Sequence, residues 1–86
     1  MASYKILFTR SAAKELGRVP AKDRQRIVNM IGALAENPRP TGAEELSGDD
    51  KFRIRQGDYR ILYEIIDTQL IVPVVRVGNR GEVYRR

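Results

Sequence analysis

Residues 51–55, KFRIR, alternate strictly between cationic and apolar side chains. This is the period of a β-strand, whose successive side chains point to opposite faces of a sheet. One face of the strand is apolar, with Phe52 and Ile54. The other face carries three cations: Lys51, Arg53 and Arg55. The chain must therefore form a sheet that has one covered face and one open, basic face.

The segment before this strand predicts the layer that covers the apolar face. YKILFT is predicted to be an N-terminal strand, and Ser11 a helix N-cap for SAAKELGRV. Pro20 begins a second helix, AKDRQRIVNMIGALAEN, whose apolar residues recur at helical spacing. Residues 37–50 are rich in Pro, Gly and acidic residues, and they are predicted to be a loop. These elements predict a helical hairpin that packs on the sheet.

Two further strands are predicted after residue 55. A turn at 56–58 leads into YRILYEII, and a second turn leads into LIVPVVRV. Pro73 places this last strand at an edge of the sheet, or makes it bulged near that residue. The fold class is therefore α+β in a single domain, 1–86. It comprises an N-terminal strand, a two-helix hairpin and a three-strand antiparallel meander, in one mainly antiparallel sheet with helices on one face.

The amino-acid composition limits which functions are possible. The chain has neither cysteine nor histidine, so a cysteine-ligated metal site is excluded and the usual proton shuttle is absent. We expect no metal and no cofactor. The net charge is +5, and residues 51–86 hold 8 Lys and Arg against 4 Asp and Glu. This excess predicts a polyanionic partner, either nucleic acid or an acidic protein. The longest apolar run, LIVPVV, is too short to span a membrane, so we expect a soluble, cytoplasmic protein.

The basic face can extend beyond the strand of residues 51–55. A short hairpin brings Arg60 within reach of Arg53 or Arg55, and Arg76 and Arg80 can complete the cluster. The plainest alternative is that these arginines only keep an exposed sheet soluble and protect its edges. A tail with Gly78, Asn79 and Gly81, shaped to return towards the same face, favours a functional cluster.

Such a cluster can act on RNA. RNA supplies its own nucleophile, the 2′-hydroxyl, so an enzyme needs to align it, take its proton and stabilise the charge on the phosphorane. Arginine stays protonated and grips phosphate oxygens, whereas lysine can lose its proton, which makes Lys51 the candidate general base. Tyr84 can stack on a base or act as an acid. Tyr59 and Tyr63 form one series of every second residue with Ile61 and Ile65, on one face of the strand. They are therefore predicted to be buried in the core.

The chain resembles the RelE toxins of prokaryotic toxin–antitoxin pairs, within the RelE/ParE superfamily, in NPRPTGAEELSG, KFRIRQGDYRILYEI and VVRVGNRGEVYR. The most specific signals are R-I-R-x-G-D-Y-R and V-G-x-R-x-x-V-Y. The resemblance covers almost the whole chain. It implies a RelE-like microbial ribonuclease-type fold and a ribosome-dependent endonuclease that cuts A-site mRNA by 2′-hydroxyl attack. It also implies a RelB-like antitoxin partner, in a hetero-oligomer.

The resemblance assigns roles to particular residues. Lys51 and Arg53 match the two basic strand residues of the family site, one of them the proposed base. Arg60 matches the arginine that stabilises the transition state, and Arg80 the arginine proposed as acid or charge stabiliser. Tyr84 matches the C-terminal tyrosine that positions or stacks on the substrate.

Two further residues, Arg55 and Arg76, are expected to contact RNA. Two positions depart from the family pattern. Arg53 stands where the best-known pattern has a second lysine, and Glu45 stands where many relatives have a lysine. Two other functions stay open: a ParE-type toxin that poisons DNA gyrase by binding, and a plain nucleic-acid-binding module.

Overall fold

The structure, a computed structural model, describes residues 3–46 and 50–79. Its elements are β1 (Lys5–Phe8), α1 (Arg10–Gly17), α2 (Ala21–Ala33), β2 (Glu44–Leu46), β3 (Lys51–Gln56), β4 (Tyr59–Glu64) and β5 (Ile71–Asn79). The strands form one sheet in the order β1-β5-β4-β3-β2. β1 runs parallel to β5, and the other neighbours are antiparallel. The predicted strand, helical hairpin and antiparallel meander, with helices on one face of the sheet, are confirmed.

The first helix begins two residues earlier than the sequence predicts. Thr9, not Ser11, is the N-cap: its hydroxyl oxygen accepts a hydrogen bond from the backbone N–H of Ala12. The same hydroxyl donates to the carbonyl oxygen of Val75 at 3.1 Å. Thr9 is favoured because it satisfies the helix end and also joins that end to β5.

The second helix ends earlier than predicted, at Ala33 instead of Asn37. Pro38 disfavours helical backbone at the residue before it, which accounts for the turn that replaces the last predicted turn of helix. Three of the predicted apolar positions are buried in the core: Ile27, Ile31 and Leu34.

The predicted loop 37–50 contains a short strand. β2 has three residues and pairs antiparallel with β3, so that Glu44 lies opposite Arg53. Acidic residues are rare in strands, so the segment EEL carries little intrinsic β signal. The open edge of β3 and the opposite charge of Arg53 supply what the local sequence lacks.

The last strand is central, so the prediction of an edge strand was wrong, while the alternative of a bulge is confirmed. β5 lies between β1 and β4, and Pro73 is aligned with Leu7 of β1. The β4–β5 register shifts between the pairs Leu62–Arg76 and Tyr63–Val74, immediately after Pro73. The irregular ladder accommodates a residue that has no N–H to donate.

The core lies between the helices and the apolar face of the sheet. Phe52 and Tyr63 stack there with ring centroids 5.7 Å apart, and the Tyr63 hydroxyl donates to the carbonyl of Pro38 at 2.8 Å. Arg39, whose guanidinium lies over the Phe52 ring, forms an ion pair with Asp67. These contacts attach the chain after α2 to the sheet. None of the described helices is long and apolar enough to cross a membrane.

Candidate nucleic-acid interface

The β3–β4 hairpin places arginines on the open face of the sheet. Arg55 and Arg60 are register partners, and partners in an antiparallel pair share a face. Phe52 and Ile54 are buried against the helices, so the residues that alternate with them point away from the core. The predicted basic face therefore exists, and we call Arg53, Arg55 and Arg60 the arginine cluster.

The hairpin turn explains why Arg55 and Arg60 meet. Gly57 has a φ of +61°, a left-handed conformation that glycine adopts readily, and only Gly57 and Asp58 connect the two strands. A cavity of about 100 Å³ is lined by Gly57, Asp58 and the two arginines. Arg60 is only 7% exposed, whereas Arg55 is exposed. The tight turn thus holds two guanidinium groups beside one small depression, where an anion can be bound by both.

Glu44 is part of the same face, although the sequence pattern does not predict it there. Its carboxylate forms an ion pair with Arg53, its register partner on β3. The hydrogen bond from Arg53 lowers the pKa of Glu44 most, followed by the charge of Arg53 and those of Arg55 and Arg60. A cavity of about 150 Å³ is lined by Gly42, Glu44, Arg53 and Arg55. The only signal in the sequence is an acidic pair before Leu46, and the register that selects Glu44 is not local.

Lys51 lies on the open face but apart from Arg55 and Arg60. It begins β3, four residues before Arg55, which corresponds to about 13 Å along a strand. Its register partner is Glu64, and both line a cavity of about 310 Å³ to which Asp50 and Asp67 also contribute. Lys51 therefore has acidic neighbours, and the facing pair Arg55 and Arg60 lies at the other end of β3.

Arg76 is directed towards α1. Its Nε donates to Glu15 Oε2 at 2.8 Å, and Glu15 Oε1 accepts from the backbone N–H of Val77 at 2.8 Å. The register places Arg76 opposite Leu62, which itself lies opposite Arg53. Its strand position therefore neighbours the arginine cluster, while its guanidinium joins α1 to β5.

The remaining predicted site residues, Arg80 and Tyr84, lie outside the described residues. Gly78, near the end of β5, is the register partner of Arg60. Tyr63 is buried and Tyr59 half-buried on the core face, as the alternation predicts. The part of the chain that the structure describes therefore brings together Arg53, Arg55 and Arg60, and leaves Lys51 and Arg76 in separate surroundings.

The chain is similar to toxins of known families. Residues 6–84 match the family of the ParE toxin of the type II toxin–antitoxin system, parDE. Toxin RelG of Mycobacterium tuberculosis is 34% identical over 96% of this chain and 98% of its own length. The mRNA interferase toxin RelE of Escherichia coli is 31% identical over 95% of this chain and 90% of its own length.

Solved structures agree with these relatives. The isolated E. coli RelE toxin has a TM-score of 0.82 and 28% identity, and the match covers 95% of this chain and 92% of that one. The RelBE2 toxin–antitoxin complex of M. tuberculosis contains a chain with a TM-score of 0.79 and 30% identity. That match covers 91% of this chain and 99% of the other.

Proposed function

The chain belongs to the RelE family of type II toxin–antitoxin toxins, and we propose that it is a ribosome-dependent endoribonuclease that cleaves mRNA in the A site. One observation carries the proposal: the hairpin gathers Arg53, Arg55 and Arg60 on one open face. Like charges that face one another oppose folding, whereas they can bind a phosphodiester and stabilise the charge that develops during its cleavage. A relative with the name mRNA interferase supports the same reaction.

The reaction needs no nucleophile from the protein. The 2′-hydroxyl oxygen of the RNA attacks the adjacent phosphorus, forming the P–O2′ bond, and the P–O5′ bond breaks. The products are a 2′,3′-cyclic phosphate and a 5′-hydroxyl. A base takes the 2′-hydroxyl proton, and an acid gives a proton to the departing 5′-oxygen. Without a metal ion, the extra negative charge on the phosphorane has to be balanced by fixed cations.

The described residues can fill two of these roles, stabilisation of the phosphorane charge and removal of the 2′-hydroxyl proton. Arg60, held in place by its burial, stabilises the phosphorane, and Arg55 supports it from the opposite strand. Arg53 holds a neighbouring phosphate. Lys51 takes the 2′-hydroxyl proton in this proposal, on the resemblance to the family.

The roles of Arg80 and Tyr84 likewise come from the family resemblance, as acid or charge stabiliser and as the stacking residue. Arg76 is assigned a lesser RNA contact, since its guanidinium already binds Glu15.

The spacing of these residues favours an enzyme whose substrate is arranged by something else. Lys51 and the Arg55–Arg60 pair are separated along β3, and the chain has no histidine to shuttle protons. The 2′-hydroxyl adjoins the phosphorus that it attacks, so side chains from both places have to converge on one linkage, and fixing a flexible free RNA between them costs entropy. The ribosome already holds the A-site codon, and so it supplies that order.

We propose a RelB-like antitoxin as the partner that restrains the toxin in the cytoplasm. Several solved structures similar to this chain are toxin–antitoxin complexes, among them RelBE2 of M. tuberculosis and RelBE of E. coli. The net charge of +5 favours an acidic partner. If co-expression with the neighbouring reading frame gives neither a complex nor relief of growth arrest, the antitoxin assignment is wrong.

A gyrase poison is the second candidate, because the matching family model carries the ParE name. A gyrase poison acts by binding and needs no cluster that stabilises a phosphorane. Relatives that carry the RelE and RelG names at 31% and 34% identity favour the nuclease.

One experiment separates the two functions. Purified protein is added to translating ribosomes, and mRNA 5′ ends are mapped by primer extension. In parallel, gyrase–DNA breaks are measured with the same preparation. Cuts within A-site codons that disappear in Arg60→Ala and persist in Arg26→Ala, an exposed arginine of α2, support the nuclease. Gyrase-dependent DNA breaks without mRNA cuts would overturn it.

A further inference from the structure

Glu44 is a carboxylate placed beside the arginine cluster, on the face that the proposed function assigns to RNA. It belongs to β2, an edge strand of three residues, and the register aims it at Arg53. The side chain of Glu44 is 59% exposed and that of Arg53 24% exposed. The ion pair therefore lies where an incoming phosphate would meet Arg53, and the exposed Glu44 side chain would compete with that phosphate.

The surroundings of Glu44 favour its anionic form. Arg53 lowers its pKa by a hydrogen bond and by its charge, and Arg55 and Arg60 lower it further. A carboxyl group whose pKa lies below its ordinary value is a weak proton acceptor at neutral pH. Its geometry, in an ion pair with its register partner Arg53, suits it to act there as a negative charge.

We infer that Glu44 occupies the place of an RNA phosphate on Arg53, and that this internal anion makes the face select RNA held by the ribosome over free RNA. The inference rests on the proposed function, since it takes the arginine cluster to be the RNA-binding face. Carboxylate and phosphate present similar oxygens to a guanidinium group, so one can replace the other there. The exchange moves an anion and breaks no covalent bond.

Tethering explains how one carboxylate can discriminate between two forms of the same substrate. A group attached to the chain competes at a high effective concentration, which free RNA at low concentration cannot match. The A-site codon of a ribosome-bound toxin is itself held next to the face, and so it competes on equal terms. Free RNA is thereby bound weakly, while ribosomal mRNA is still engaged.

Glu45 supplies a matched control. It is adjacent to Glu44 on the same strand, carries the same charge and is exposed. Its register partner is Phe52, so it points to the other face of the sheet. Glu45→Gln changes the net charge by the same amount as Glu44→Gln without touching the arginine cluster.

The test measures binding of a single-stranded RNA oligonucleotide that cannot be cleaved because its 2′-hydroxyls are methylated. Fluorescence anisotropy is recorded over a series of salt concentrations. We expect Glu44→Gln to bind about two- to fivefold more tightly than wild type, in line with the loss of a partly exposed ion pair. The slope of log affinity against log salt becomes steeper by about 0.7, the value for one more phosphate of a single strand. Glu45→Gln changes affinity by less than about twofold.

A second comparison ties the effect to Arg53. In an Arg53→Gln background, Glu44→Gln should give no further gain in affinity, because the guanidinium that it releases is gone. Circular dichroism of each variant establishes that it is folded. Equal affinities of Glu44→Gln and Glu45→Gln, or binding of the oligonucleotide by neither, would overturn the inference.

Cleavage assays keep this inference separate from the proposed function. Glu44→Gln should cut free RNA faster relative to ribosomal mRNA than wild type does. Loss of ribosomal cleavage in Glu44→Gln with unchanged RNA affinity would assign Glu44 as the base and overturn the competitor role. Absence of ribosomal cleavage by the wild type, with tighter RNA binding by Glu44→Gln, would overturn the nuclease and leave the competitor role standing.

Discussion

Arg55 and Arg60 lie directly opposite each other across the β3–β4 hairpin, with only Gly57 and Asp58 between the strands. Like charges at facing positions of an antiparallel pair repel each other and weaken the sheet. A pair that opposes folding is retained where it serves binding, and an RNA phosphate is the anion that two guanidinium groups suit best. Repulsion between the two arginines at the proposed active site therefore slightly lowers the stability of the fold.

Removal of one arginine should stabilise the free protein and weaken the enzyme. We expect Arg55→Gln to raise the free energy of unfolding by about 0.2–1 kcal/mol, the usual size of a cross-strand pair effect, because it removes the repulsion with Arg60. Urea denaturation at low salt measures this change. It should shrink in high salt, which screens exposed charges. A stability that falls in Arg55→Gln would contradict the repulsion.

Arg60 should control the rate of cleavage more than the binding of RNA. Loss of a group that stabilises charge only in the transition state slows the chemical step by about 100- to 1,000-fold. We expect this loss in Arg60→Ala, with a partial recovery in Arg60→Lys, which keeps the charge but not the fork of donors. Single-turnover cleavage on ribosomes gives the rate. A rate within threefold of wild type in Arg60→Ala would remove Arg60 from the site.

Substitutions can distinguish two roles of Lys51, that of a general base and that of a fixed positive charge. It faces Glu64 at the end of β3 remote from Arg55 and Arg60, so its role depends on how the RNA is laid along the strand. If Lys51 takes the 2′-hydroxyl proton, both Lys51→Ala and Lys51→Arg should cleave slowly, because arginine keeps its proton. Recovery of the wild-type rate by Lys51→Arg would show that the position needs only a positive charge.

The alternation of side chains within one strand was enough to predict the basic face. Which other residues lie on that face depends on pairing between strands that are distant in sequence, and this could not be predicted. The alternation in KFRIR assigns Phe52 and Arg53 to opposite faces without reference to any other part of the chain. Glu44 was missed because its strand has no apolar alternation, and only the register with β3 selects it over Glu45. The central position of Pro73 likewise depends on β1, which pairs with β5 from the far end of the sequence.

The Arg76–Glu15 ion pair leads to a structural prediction at a residue that the sequence analysis assigned to RNA binding. Glu15 also accepts a hydrogen bond from the Val77 N–H, so its carboxylate holds α1 against β5. We expect Glu15→Gln to weaken this contact and lower the melting temperature.

Arg76→Ala should reduce ribosomal cleavage far less than Arg60→Ala. Equal losses of cleavage in the two arginine variants would instead place Arg76 in the site.

Tyr63 should make the stability of the protein fall at alkaline pH. Burial raises the pKa of its hydroxyl from 10.0 to about 12, while the charge of Arg39 acts in the opposite direction. Between these values the unfolded chain loses the tyrosine proton and the folded chain keeps it, so the free energy of unfolding decreases as the pH rises. The contribution is fully present below pH 10 and is lost by about pH 12.

Tyr63→Phe isolates this effect, because every other titrating group is common to the two proteins. At pH 8 we expect the variant to be less stable by about 1 kcal/mol, since the carbonyl of Pro38 loses its hydrogen bond. Urea denaturation at intervals from pH 8 to 12 should show the difference between the two proteins shrinking above pH 10. A difference that stays constant over this range would mean that the Tyr63 hydroxyl titrates equally in the folded and unfolded chains.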